Sequence, residues 1–535
     1  MKLSFWGADH EVTGSCHYLE ACDKKILIDC GMRQGEDDDD GERETPIVPA
    51  DIDYILLTHA HIDHSGRLPL MAKYGFRGKI IATRATGELC SIMLRDSAHI
   101  QEFEAEWRNR KRKRSGEEPY EPLYTLEDAE RVMKCFVTYE YGQIIELCDG
   151  IRLRFVDVGH LLGSASIELW VQGGDTCKKI VFSGDIGNLN QPLIKDPQYV
   201  KQADYVVMES TYGDRNHKPV GDTRAALTAI IQRTFDRGGN VVIPSFAVGR
   251  TQELLYYLRG IVNDGDIKGH PGFEVFVDSP LAVEATNVFN QNINGYFDDD
   301  AMKLIRQGIN PISFPGLRAS VTSDESKAIN FDNRCKIIIS ASGMCEAGRI
   351  RHHLKHNLWR PESTIVFVGY QAEGSLGRAL LEGAKQVKLF GETITVNAEI
   401  TRLDGTSGHA DQAGLIRWIQ AFEQKPQRVF IVHGEDEVCD SFAALVHEQL
   451  GLETTAPNFG ASWDLKQDIC LDSGTVFVKN KQPEQRTDRQ STVFRRLLAA
   501  GQRLLTVIRH NEGGANKDLA KFADQVNNLC DKWDR

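Results

Sequence analysis

Short apolar runs rich in valine and isoleucine recur along the chain, and stretches of helical period separate several of them. The runs lie at Lys25–Asp29, Tyr54–Thr58, Leu153–Val158, Lys179–Ser183, Tyr205–Met208, Asn240–Pro244, Glu274–Val277, Lys336–Ile339, Thr364–Val368 and Arg428–Val432. Runs this apolar suit strands buried on both faces, as in a sheet covered by helices. Thr223–Asp236 and Thr251–Val262 carry the helical period between them. The alternation predicts an α/β fold throughout. There is no internal repeat. Lys479–Ser491 is polar, contains Pro483 and reads as a linker. Two amphipathic segments follow it. The second sets Leu519, Phe522, Val526, Leu529 and Trp533 on one helical stripe. That stripe fits packing onto its own subunit or a homodimer contact, and the pattern does not separate the two.

A chain of 535 residues exceeds one ordinary core, so two or more domains are expected. No apolar run reaches the length of a membrane span, and the first residues enter a strand pattern without a signal layout. The 12 cysteines are scattered with no C-x-x-C pair, which predicts reduced thiols and a cytoplasmic setting. The net charge of −13 argues against a protein that coats nucleic acid non-specifically. The balance is uneven, with an acidic run at Asp37–Asp40 and a basic one at Arg108–Arg114. Both read as solvated loops; the basic run also fits a hand-hold for a phosphate backbone.

The densest chemistry is Thr58-His-Ala-His-Ile-Asp-His-Ser-Gly66, between a strand and a helix expected near Leu68. His59 and His61, two apart on extended backbone, point to one side. Asp63 and His64 lie on the turn that follows. Imidazoles with carboxylates suit Zn²⁺ and also admit Mn²⁺ or Fe. Asp29, His160, Asp185 and His433 each follow an apolar strand as well. Strand ends at one edge of an α/β sheet converge on a crevice, which predicts a common site.

These segments resemble the metallo-β-lactamase superfamily and, within it, the β-CASP nucleases. The resemblance covers about the first 470 residues. It implies an αββα sandwich formed by 1–209 and 406–475, with an inserted α/β domain at 210–405. A linker and helical extension at 476–535 lie outside it. It implies a first metal on His59, His61, His160 and Asp185, and a second on Asp63, His64, the shared Asp185 and His433. Asp29 matches an aspartate that orients ligands; a strand-end cap is its plainer reading. The expected cofactor is two Zn²⁺ per chain, with Mn²⁺ as an alternative.

Many hydrolases share such a site, so the substrate needs other features. His433 follows Asp185 by about 250 residues, enough for the inserted domain. Glu209-Ser-Thr-Tyr-Gly213, Ser407-Gly-His-Ala-Asp411 and Ile431-Val-His-Gly-Glu435 match the family's accessory motifs. The resemblance makes His409 the general acid, with Glu209 orienting it, and places Asp63 in the catalytic set. His433, where a DNA-directed branch tends to carry valine, favours RNA. The chain looks closer to bacterial relatives of the polyadenylation-factor nuclease than to ribonuclease J. The implied reaction is hydrolysis of single-stranded RNA, leaving a 5′-phosphate and a 3′-hydroxyl. An ester or thioester hydrolase and a DNA nuclease of the same fold are the alternatives. In the insertion, Arg250 fits an RNA contact or a structural ion pair. Ser342 fits a phosphate contact or, more simply, tight packing. Endonuclease and 5′-exonuclease action are both open.

Overall fold

The computed structural model describes residues 1–34, 45–116, 119–218, 221–372, 374–403, 407–476 and 492–533. The acidic run Asp37–Asp40 and the segment Lys479–Ser491 lie outside the described residues. Two sheets face each other. The first has eight strands, in spatial order Ile469–Asp472, Ser462–Asp464, Lys2–Phe5, His17–Ala21, Lys24–Ile28, Tyr54–Leu56, Lys79–Thr83 and Phe136–Tyr139. The second has seven, in order Thr454–Thr455, Arg428–Val432, Tyr205–Glu209, Cys177–Phe182, Ala165–Gln172, Ile151–Asp157 and Ile145–Cys148. Phe5, Leu19, Ile26 and Ile28 of the first meet Phe155, Ile167, Phe182 and Phe430 of the second in one apolar layer. Residues from both ends of the chain thus share one core. The α/β expectation and the sandwich hold.

Between Tyr205–Glu209 and Arg428–Val432, neighbours in parallel register, the chain leaves to build a third sheet. Its six strands run in the order Leu317–Ala319, Glu274–Val277, Lys336–Ser340, Val241–Pro244, Thr364–Phe367 and Glu399–Arg402. Every neighbouring pair is parallel. Parallel neighbours require crossovers, and helices such as Thr223–Asp236, Arg250–Asn263 and Ile350–Asn357 supply them. Two separate apolar clusters result, one on each side of this sheet.

A buried ion network ties the carboxyl edge of the third sheet together. Asp278 is fully buried, 2.7 Å from Arg349 Nη1 and 2.6 Å from His353 Nε2. Ser326 Oγ donates to it at 2.6 Å. Burial alone raises a carboxyl, but hydrogen bonds from His353, Ser326 and Arg349 outweigh this and hold Asp278 at about 2. A carboxyl depressed in this way stabilises the fold fully above its unfolded value of about 3.9. That contribution is lost as pH falls through the folded value near 2. Asp278→Ala strands Arg349 and His353 without their carboxylate. It is expected to cost about 3–5 kcal/mol, read as a lowered urea midpoint at neutral pH.

Arg108–Arg114 is not a loop. It forms the final turns of the 32-residue helix Arg84–Ser115, where cations favour the negative end of the dipole. Arg108 and Arg112 also lie over the Tyr120 ring, at 4.6 Å and 5.8 Å. Of the two carboxy-terminal helices, Thr492–His510 docks on the body. Thr506 donates a hydrogen bond to Asp51, and Arg509 lies 3.8 Å from the same residue. The second, Asn516–Trp533, buries no residue fully, and Leu519, Phe522 and Val526 of its apolar stripe are half-buried. Leu529 and Trp533 are exposed. All 12 cysteines are free thiols, and no described helix is long and apolar enough to cross a membrane.

Candidate metal centre

The site forms where strand ends of both facing sheets meet. Tyr54–Leu56 leads into Thr58–His61 and the one-turn helix Ile62–Ser65, which carries Asp63 and His64. That turn lies directly on the end of Lys24–Ile28. Cys30 N–H donates to His64 O at 2.8 Å, and Ser15 N–H to Asp63 O at 2.8 Å. A Cβ on Gly31 would stand 1.6 Å from Asp63 O, so only glycine permits this approach. Asp29 and His433 both hold left-handed backbone, with φ of 61° and 53°. That conformation costs roughly 1–2 kcal/mol in a non-glycine residue and concentrates at functional sites.

Two donor sets meet across Asp185. His59, His61, His160 and Asp185 present ligand-type atoms within 4.8 Å of one another, and so do Asp63, His64 and His433. Asp185 Oδ2 lies 3.4 Å from His59 Nε2 and 3.5 Å from His160 Nε2. Its other oxygen, Oδ1, lies 3.2 Å from His64 Nε2 and 3.8 Å from His433 Nε2. His433 Nε2 is 3.6 Å from Asp63 Oδ2. One carboxylate thus faces both sets, with one oxygen to each.

The outer nitrogens of the rings are held by other partners. Asp29 Oδ2 is 2.7 Å from His64 Nδ1, and its two oxygens accept Thr58 N–H and Thr58 O–H, each at 2.8 Å. His160 Nδ1 meets Gly408 O at 3.2 Å. His433 Nδ1 meets Thr211 Oγ1 at 3.1 Å, and His59 Nδ1 meets Thr58 Oγ1 at 3.1 Å. With Nδ1 occupied in these four rings, Nε2 is left facing inward, whereas His61 turns its Nδ1 inward, 3.1 Å from Nε2 of both His59 and His160. Thr211 and Gly408 were not singled out from the sequence, although each sits inside a motif that was. The signal available was their adjacency to Glu209 and His409.

His59, His61 and His160 are pushed toward the neutral form by burial, His61 to about 3. Burial acts on His64 and His433 too, but Asp185 outweighs it with Asp29 for His64 and Asp63 for His433. Both are held above their usual range. The neutral imidazoles of His59, His61 and His160 beside the Asp185 carboxylate form a ligand set for a divalent cation, whereas His64 and His433 would release a proton on binding a second. Asp185 Oδ1, fully buried, accepts no hydrogen bond among the described residues, as a metal-facing oxygen should. Imidazole with carboxylate matches Zn²⁺, and Mn²⁺ less selectively.

His409 stands beside this cluster. Its Nδ1 lies 3.2 Å from both oxygens of the buried Glu209, and its Nε2 3.9 Å from Asp185 Oδ2. Glu209 is itself fixed by N–H donors from Ile186, at 2.5 Å, and Thr211, at 3.2 Å. Burial disfavours a charged His409, but Glu209 and Asp185 outweigh it and raise the imidazole to about 9. The other two singled-out residues have local partners. Arg250 pairs with Glu253 on its own helix, and its side chain is largely buried. Ser342 Oγ accepts Ala347 N–H at 3.5 Å, within its own loop.

Fold and donor set together define a metallo-hydrolase of the metallo-β-lactamase fold. Residues 11–88 match the Metallo-beta-lactamase superfamily, 251–380 the Beta-Casp domain, and 393–457 the Zn-dependent metallo-hydrolase RNA specificity domain. The chain is 36% identical to "Ribonuclease TTHA0252" of Thermus thermophilus over 86% of its length and 99% of the relative's. It is 31% identical to "Transcription termination factor FttA" of Methanosarcina mazei, over 85% of this chain and 70% of that one. The "RNase J-like protein" of Methanocaldococcus jannaschii is also 31% identical, over 85% and 97%. The chain belongs to the β-CASP family of metal-dependent hydrolases.

Proposed function

We propose that this protein is a ribonuclease that hydrolyses RNA phosphodiester bonds with two divalent cations, Zn²⁺ or in its place Mn²⁺. The observation that carries the reading is Asp185, one oxygen on each donor set, with the His409–Glu209 pair beside it. His59, His61, His160 and Asp185 would hold one cation, and Asp63, His64, Asp185 and His433 the other. Bound there, the cations supply Lewis acidity, which makes water nucleophilic near neutral pH and offsets charge on the phosphodiester oxygens.

The chain's own residues do the rest. Asp29 fixes the His64 ring so that Nε2 faces inward. Glu209 keeps His409 protonated and aimed, and His409 Nε2 gives its proton to the departing oxygen. The names of the relatives support RNA as the substrate, as does the matched RNA specificity domain. The working division is a metal-binding body at 1–209 and 406–475, an inserted domain at 210–405 that roofs the site, and an extension at 476–535.

One measurement separates this reading from a small-molecule esterase or thioesterase. Metal-replete protein is offered bis(4-nitrophenyl) phosphate beside a nitrophenyl ester and an acyl thioester. Turnover confined to the phosphodiester is expected; preference for the thioester or ester overturns the reading. Asp29 gives a second expectation. Asp29→Asn frees the His64 ring, and loss of such an orienting partner typically weakens metal binding about 10–100-fold. Competition with a chromophoric chelator measures it. Unchanged affinity would leave Asp29 only a strand-end cap.

A further inference from the structure

The inserted sheet presents two large aromatic rings at the edge that faces the metal cluster. Phe246 is 47% exposed and Tyr370 is 48% exposed. They follow Val241–Pro244 and Thr364–Phe367, adjacent parallel strands, so both lie at the carboxyl edge where α/β sheets bind ligands. Their loops are built to hold them. Thr251 Oγ1 donates to Phe246 O at 2.7 Å, and Ser245 N–H to Ser340 O at 3.1 Å. Gln371 Nε2 reaches Gly343 O at 3.1 Å and Tyr370 O at 2.9 Å. The Phe246 ring lies against Gly343 and Gly369, where a Cβ would come within 3.3 Å and 3.7 Å of it.

Both loops reach toward the metal side. A Cβ on Gly249, three residues after Phe246, would stand 3.0 Å from Leu161, which adjoins His160. Tyr370 has Glu435, Arg378, Tyr212 and Arg215 as its charged and titratable neighbours. Glu435 lies two residues beyond His433. Tyr212 lies three beyond Glu209, with its ring 6.2 Å from that of His409. Tyr212 thus neighbours both Tyr370 of the inserted domain and His409 beside the metal cluster.

We propose that Phe246 and Tyr370 are stacking platforms for the bases of a single-stranded RNA lying between the inserted sheet and the metal cluster. The assignment rests on RNA as the substrate class. Stacking suits this chain in particular. Its formal charge of −13 disfavours a broad basic coat for nucleic acid, whereas an aromatic face holds any base without regard to sequence. Half-exposed rings on anchored loops meet a base without reorganisation.

The test is equilibrium binding of metal-replete protein to a dye-labelled single-stranded RNA with phosphorothioate linkages, which keep the charge and slow cleavage. A strand of the same backbone carrying abasic residues is the control. Phe246→Ala and Tyr370→Ala are each expected to weaken binding about tenfold, the size of one lost base–aromatic stack. Phe246→Tyr and Tyr370→Phe should bind as the wild type does. On the abasic strand, wild type and alanine variants should become equal. Unchanged affinity in both alanine variants, equal losses on the abasic strand, or no RNA binding by the wild type overturns the proposal. If RNA is bound through the rings yet never cut, the cleft assignment stands and the ribonuclease reading fails.

Discussion

His409→Ala lowers the single-turnover rate of RNA cleavage by about 10²–10⁴-fold, the usual worth of general acid–base help, while the protein keeps its metal. The retained metal follows from geometry. His409 stands 3.9 Å from Asp185, and His160 is oriented by the backbone carbonyl of Gly408, which the substitution leaves in place. Glu209→Gln separates the two halves of this pair. It removes the charge that, with Asp185, holds the imidazole near 9, so the imidazole titrates at lower pH. The sign is fixed: a general acid works below its own pKa, so the alkaline limb of the rate profile moves to lower pH. A Glu209→Gln enzyme with an unmoved alkaline limb would show that Glu209 only braces the loop at Ile186.

The other large effect belongs to Asp185. Asp185→Ala removes the one carboxylate shared by both donor sets and leaves His59, His64, His160 and His433 without it. Metal content should fall from about two per chain toward zero after dialysis. Activity should fall by more than about 10⁴-fold, beyond the range of acid–base help alone. Elemental analysis beside the cleavage assay checks both. Two retained metals in Asp185→Ala would break the assignment of a shared ligand.

The parallel strands were the easiest part to read. Val241–Pro244, Lys336–Ser340 and Thr364–Phe367 are buried throughout, so each appears as an uninterrupted apolar run. Ala165–Gln172 is also a long strand, but it went unread because Glu168 interrupts it. That carboxylate is buried between Arg154 and Lys179, each 2.5 Å away, partners that belong to neighbouring strands. A pattern along one strand cannot show a partner across the sheet. The same limit governed the metal centre. Each of its seven ligand-type residues ends a strand or occupies the turn behind one, so they could be read locally. Their supports could not, since Thr211 meets His433 from 222 positions away. Arg250 had two readings, and only the Glu253 carboxylate one helical turn on favours the ion pair. The basic run at Arg108–Arg114 misled in the other direction. Charge suggested a loop, but the helix that carries it is anchored upstream by buried Leu89, Leu94 and Ala98.

The most direct test is cleavage of a 5′-labelled single-stranded RNA, with the matching DNA beside it, by protein loaded with Zn²⁺ or Mn²⁺. A His59→Ala, Asp63→Ala double variant, lacking a donor from each set, is the control. The account predicts that the loaded enzyme cuts RNA in preference to DNA, leaves a 5′-phosphate, and does neither in the control. The ladder of products then distinguishes internal cuts from stepwise removal at the 5′ end. RNA left intact by protein that carries its full complement of metal contradicts the account.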